Sequence, residues 1–123
     1  MDSLTPSAHQ KALSQNFTAA LSNTKVVIAA SKRNLHGYTF WNPNDSVTFV
    51  HFYDALTANV TVGTTAPTFS VPVPVQGGVD IPPGVFPLKR MGTGVIIAAN
   101  TAQDGVTDDA APANALLSTV YYK

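Results

Sequence analysis

Short apolar runs separated by turn-forming residues set the rhythm of this chain. Val26-Val-Ile-Ala-Ala30 is the first run, closed by the polar turn Ser31-Lys-Arg-Asn34, as expected for a buried strand. His36 to Trp41, then Asn42-Pro-Asn-Asp45, then Val47 to Asp54 place turn chemistry between two aromatic-rich segments, and this spacing predicts a hairpin. Within the second segment Val47, Phe49, His51 and Tyr53 share one face while Thr48, Val50, Phe52 and Asp54 share the other. Neither face is wholly polar, so the strand should be covered on both sides. Asn59 to Val62 reads as a short strand closed by Gly63-Thr-Thr-Ala-Pro67.

From Phe69 to Val75 the alternation is strict, with Phe69, Val71, Val73 and Val75 on one side and Ser70, Pro72, Pro74 and Gln76 on the other. Proline has no N–H to give to a neighbouring strand, so prolines at one parity place this segment at a sheet edge. Gln76-Gly-Gly78 and Pro82-Pro-Gly84 turn the chain on either side of a short strand at Val79 to Ile81. Gly94 to Ala99 is a further apolar strand. The polar stretch from Asn100 to Pro112 predicts a long surface loop, and Ala115 to Tyr122 a final strand with Leu116, Ser118, Val120 and Tyr122 opposed to Leu117, Thr119 and Tyr121. Residues 1 to 22 are polar. Leu13, Phe17 and Leu21 recur at a helical spacing there, but the reading adopted is an extended arm that joins the sheet around Phe17. The resulting expectation is an all-β chain: an N-terminal arm (1–22) and one antiparallel β-sandwich or jelly-roll-like domain (23–123).

Composition narrows the function classes. At 123 residues the chain fits one domain, and its hydrophobic content of 45% is enough to build a core without staples. Charged residues make up 11%, against about 25% in ordinary soluble domains. Seven basic and seven acidic side chains cancel, which argues against a nucleic-acid partner. The absence of cysteine excludes disulfides, thiolate metal sites and a Cys nucleophile. No apolar stretch is long enough to span a bilayer, and the first residues lack the pattern of a secretory signal, so synthesis in a cytoplasm and no membrane partner are expected.

Candidate chemistry is sparse. His36 and His51 could face each other across the predicted hairpin, but no His-x-His or His-x-x-x-His spacing supports a metal site, and packing beside Tyr38, Phe49 and Tyr53 is preferred. Asn100, Asp104, Asp108 and Asp109 offer oxygen ligands on one loop, yet without calcium-loop spacing or any glutamate. No Gly-x-Ser-x-Gly is present, and Gly92-Thr-Gly94 is too short to cradle a phosphate. No catalytic, cofactor or metal residue is therefore assigned. The dibasic pairs Lys32-Arg33 and Lys89-Arg90 should cap strand ends in solvent or meet an acidic patch on a partner. Phe17, Trp41 and the edge prolines Pro72 and Pro74 complete the set of interface candidates.

The ordered set Tyr38-Thr-Phe-Trp-Asn-Pro-Asn44, Phe49 to Asp54, Val71-Pro-Val-Pro-Val-Gln-Gly-Gly78, Gly94-Val-Ile-Ile-Ala-Ala99 and Val120-Tyr-Tyr-Lys123 resembles a family of small β-sandwich virion proteins of tailed bacteriophages. The likeness runs from about residue 26 to the end. It implies capsid decoration: a non-enzymatic cement protein on the outer surface of the head, bound to the major capsid protein and itself a homotrimer. The competing expectation is a tail, fibre or spike component that binds a host-surface glycan or receptor through Trp41 and nearby tyrosines.

Overall fold

The computed structural model describes residues 13–107 and 109–123. Nine strands follow in chain order: β1 (Ser14–Leu21), β2 (Val26–Ala29), β3 (Arg33–Asn42), β4 (Thr48–Tyr53), β5 (Phe69–Val73), β6 (Gly77–Ile81), β7 (Lys89–Met91), β8 (Val95–Asn100) and β9 (Leu116–Tyr122). They form two antiparallel sheets. One has the order β1-β9-β3-β6, with β7 also on β3; the other has the order β2-β8-β4-β5. β6 and β7 lie on the same side of β3, one beyond the other, and count as a single interrupted strand. Apart from β4 and β5, strands consecutive in the chain then fall in opposite sheets, which is the strand order of a jelly roll.

The alternating patterns lay down the core. Phe40 on β3 and Val120 on β9 point inward from the first sheet, and Val50, Phe52, Val71, Val73 and Ile97 meet them from the second. Burying each such side chain contributes about 1.5–3 kcal/mol. Phe52 and Phe69 stack across β4 and β5 with ring centroids 4.5 Å apart, and Phe40 closes on Phe52 at 6.0 Å. β4 is covered on both sides, as its two apolar faces require. Its outward Tyr53 joins Val60, Ile96 and Ala98 in a second small cluster. β5 is the edge strand that its prolines require, with Val71 and Val73 buried and Pro72 and Pro74 exposed.

Three expectations are corrected. β3 and β4 do not form a hairpin: they belong to different sheets, and residues 42–48 arch across the end of the sandwich. The reason is Asn42, which is fully buried. Its Nδ2 donates to the carbonyls of Ser46, Val73 and Pro74 at 2.9, 3.1 and 3.2 Å, and its Oδ1 accepts from Asn44 N–H and Nδ2 at 3.0 and 2.8 Å. A corner whose polar groups are answered from β5 is held between the sheets. In consequence His36 and His51 lie in different sheets and do not face each other. The predicted strand at 59–62 is instead a 3-10 turn at Thr57–Asn59 followed by buried Val60, because Lys25 Nζ donates to both Thr57 O and Val60 O at 2.6 Å and draws the two carbonyls together.

The first part of the expected arm, residues 1–12, lies outside the described residues. The second part is β1, paired antiparallel with β9 from Ser14↔Tyr122 to Leu21↔Leu116, and Leu21 is wholly buried. Residues 14–21 thus form an edge strand of the sandwich, and the extended pairing around Phe17 replaces the helical alternative.

Candidate interaction surface

The two sheets differ on their outer faces. That of the second sheet is roofed: Val60 and Val62 pack on Tyr53 and Ile96, while the 101–107 loop closes over His51. Gly105 makes this closure possible. Its φ is +74°, and a Cβ there would stand 3.1 Å from the His51 ring. His51 is fully buried and fully satisfied. Its Nε2–H donates to Asn100 Oδ1 at 2.7 Å, which leaves Nδ1 to accept from the Ser70 hydroxyl at 2.5 Å. A ring spent in this way is a packing element, not a ligand or a base.

Among the described residues nothing roofs the outer face of the first sheet in the same way. Cross-strand pairing sets Phe17, Thr119, Thr39 and Asp80 in one row and Leu117, Trp41 and Gly78 in the next. Phe17 is 63% exposed and Trp41 46%, and the Trp41 ring lies over Gly78, where a Cβ would come within 3.3 Å of it. Asp80 is the one ionisable side chain in these rows, and it accepts from the Thr39 hydroxyl at 2.8 Å. Phe17 and Trp41 therefore share a sheet face, but Pro72 and Pro74 do not join them: they stand on the edge of the other sheet.

The dibasic pairs, distant in sequence, are brought together. β7 pairs with the start of β3 in the register Arg33↔Met91, Asn34↔Arg90, Leu35↔Lys89. Lys32, Arg33, Arg90 and Lys123 line a shallow cleft of about 230 Å³. Of the seven Lys and Arg residues, Lys11 lies outside the described residues and Lys25 is committed to the 3-10 turn, so the other five gather at this end. Both pairs stand exposed at strand ends, as expected, and the β3–β7 pairing adds that they form one cationic cluster.

Beside that cluster is a feature that strand and helix periodicity do not reveal. Tyr38 pairs with Ile81 and Leu35 with Lys89, so His36 and Gly37 on β3 stand opposite the whole of residues 82–88, which leave the sheet as a loop. Its ends are fixed. His36 Nδ1 donates to Gly84 O at 3.0 Å, and Leu88 N–H donates to Leu35 O at 2.7 Å. Gly37 allows the crossing, since a Cβ there would lie 2.4 Å from Ile81 O. Between the anchors Val85 is 88% exposed and Phe86 83%. The signal available in the sequence is a run, Pro82-Pro-Gly-Val-Phe-Pro-Leu88, whose apolar residues fit neither strand nor helix periodicity.

The carboxylates are dispersed. Partial burial pushes Asp54 up, but the N–H groups of Thr93, Gly92 and Gly94, with Lys89 nearby, outweigh it and hold its carboxyl below the ordinary range. Asp104 is lowered to about 2 by the Thr107 hydroxyl and by the N–H groups of Val106 and Thr107. It shapes its own loop, while Asn100 is turned to His51, so these two do not converge as calcium ligands; Asp108 lies outside the described residues. Among the described residues no three His, Asp or Glu side chains gather where they could hold a metal. Comparisons with known protein families, curated proteins and solved structures find no match to this chain.

Proposed function

We propose that this protein is a non-enzymatic component of a phage virion, a decoration protein that binds the outer surface of the major capsid lattice and stabilises the head. The observation that carries the reading is the asymmetry of the sandwich: one sheet is roofed on its outer side, and the other presents an open apolar face beside a projecting loop. Such a body is built for contact. Large exposed aromatics are the residues expected at interaction sites. The jelly-roll order supports the reading by analogy, since the same architecture serves in viral capsid and lectin domains, and function must still be argued from surfaces.

A homotrimer belongs to the same proposal. The rows around Phe17 and Trp41 carry no lysine or arginine and a single aspartate already bonded to Thr39. A second copy can cover them without stripping water from an unpaired charge. Cyclic repetition of the shell contact then adds avidity. Sedimentation of the purified protein with heads assembled without it tests the reading: pelleting at micromolar protein supports decoration, and retention in the supernatant rejects it. The second reading, a tail or fibre component that binds a glycan, is favoured by the half-exposed Trp41 ring on the open face. Quenching of Trp41 fluorescence by host-surface polysaccharide would select it.

A further inference from the structure

We infer that residues 82–90, together with the neighbouring cations, form a two-part anchor whose partner is an apolar pocket with an acidic rim on another protein; resting on the decoration reading, that protein is the shell subunit. Four observations lead there. Val85 and Phe86 are the most exposed large apolar residues described, and they sit side by side on one loop. The loop is held rather than loose: His36 fixes Gly84, Leu35 fixes Leu88, Pro82 and Pro83 restrict the backbone ahead of the first anchor and Pro87 that between the two, so little freedom remains to be lost on docking.

Lys89 and Arg90 follow the tip directly, and Lys32 and Arg33 flank them through the β3–β7 pairing. A restrained aromatic tip flanked on one side by cations is complementary to an apolar hole with carboxylates along its rim. Finally, among the described residues no three carboxylates gather into a rim that a second copy of this chain could offer. Asp45 accepts from Gln76 Nε2, Asp54 from the Gly92–Gly94 backbone, Asp80 from Thr39, and Asp104 from Thr107 and Val106. These four carboxylates are scattered and engaged where they stand, and Asp109 is the one other described aspartate, so the charge complementary to a cluster of five cations is assigned to a different protein.

The test sediments wild-type protein, Phe86→Ser, Val85→Ser and a Lys89→Glu/Arg90→Glu double variant with heads assembled without the protein, at low and at high salt. Thermal melts run in parallel. Because Val85 and Phe86 lie outside the core, their serine variants should melt as wild type does while binding heads about 30-fold more weakly, the loss expected of a central anchor. The charge-reversed variant should bind about tenfold more weakly at low salt, and added salt should weaken wild type while narrowing that gap. Wild-type binding with unchanged binding of both serine variants overturns the anchor and leaves the decoration reading standing. Failure of wild type to bind heads removes that reading and the anchor's partner with it. Phe86-dependent binding to vesicles of phosphatidylcholine and phosphatidylglycerol, without binding to heads, assigns the loop to a membrane and overturns the inference.

Discussion

Asn44 and Asn114 are joined as two strand residues would be, although one of them joins through its side chain. The Asn44 amide donates from Nδ2 to Asn114 O at 2.8 Å and accepts from Asn114 N–H at Oδ1 at 2.6 Å. The side chain thus takes the place of a missing strand, tying the arch after β3 to the residues that lead into β9. Asn42 completes the hub by gathering the carbonyls of Ser46, Val73 and Pro74. Three segments remote in sequence meet on two adjacent amides, and the cost of leaving such groups unpaired in the interior is what holds them.

Asn42→Ala should therefore destabilise the domain by about 3 kcal/mol, since it strands several buried polar groups at once. Asn44→Ala should cost about 1–3 kcal/mol, and the double variant less than the sum because both act in one network. Urea unfolding of the three variants checks this, and strictly additive losses would show that the two amides act independently.

The edge strand gives a paired prediction. Val73 is fully buried in the core, and Val75, two residues on, is about half exposed to solvent. Val73→Asp should cost several kcal/mol by burying an unpaired charge, on the order of 3–5, whereas Val75→Asp should change stability by less than about 0.5. Equal effects at both positions would mean that the alternation ends before Val73.

These residues also mark what could be read from the chain alone. The edge position of β5 was legible because the missing proline N–H is a local property, and the double coverage of β4 because both of its faces are apolar in the sequence. The arch was not. Asn42-Pro-Asn-Asp45 supplies the same turn chemistry to a hairpin or to a corner between sheets, and the choice is made by carbonyls at 73 and 74. Likewise Val60 and Val62 alternate as a strand would, and a lysine amine from position 25 overrides them. At the candidate surface, Phe17, Trp41 and the dibasic pairs could be recognised singly. Their grouping depends on strand register, and the exposure of Phe86 depends on where β6 and β7 let go of β3.

Acid should reveal the carboxylates. Asp54 and Asp104 are both held below the unfolded value of 3.8, Asp104 at about 2. A carboxyl depressed in the folded state stabilises it when ionised, so this contribution is complete above the unfolded pKa and is lost as pH falls through the folded one. Stability should accordingly decline between pH 4 and 2. Asp54→Asn should lower stability at neutral pH, with a deficit that shrinks as acid protonates the wild-type carboxyl. Denaturation midpoints across that range decide the matter, and a deficit independent of pH would contradict a role for the charge.

In the proposed homotrimer the open face is the contact between copies. Phe17→Glu and Trp41→Glu should each shift the protein from trimer to monomer in sedimentation velocity, with secondary structure unchanged, because a carboxylate buried between copies costs several kcal/mol without a partner. Trimers that persist in both variants would place self-association elsewhere on the molecule.

The most direct measurement is a reconstruction of the intact phage particle at a resolution that shows individual strands. The account predicts density for this jelly roll at every equivalent site on the outer surface of the shell, in threefold groups, with the 82–90 loop turned toward the capsid subunit. Density on the tail or fibres alone, or a particle without it, would contradict the account.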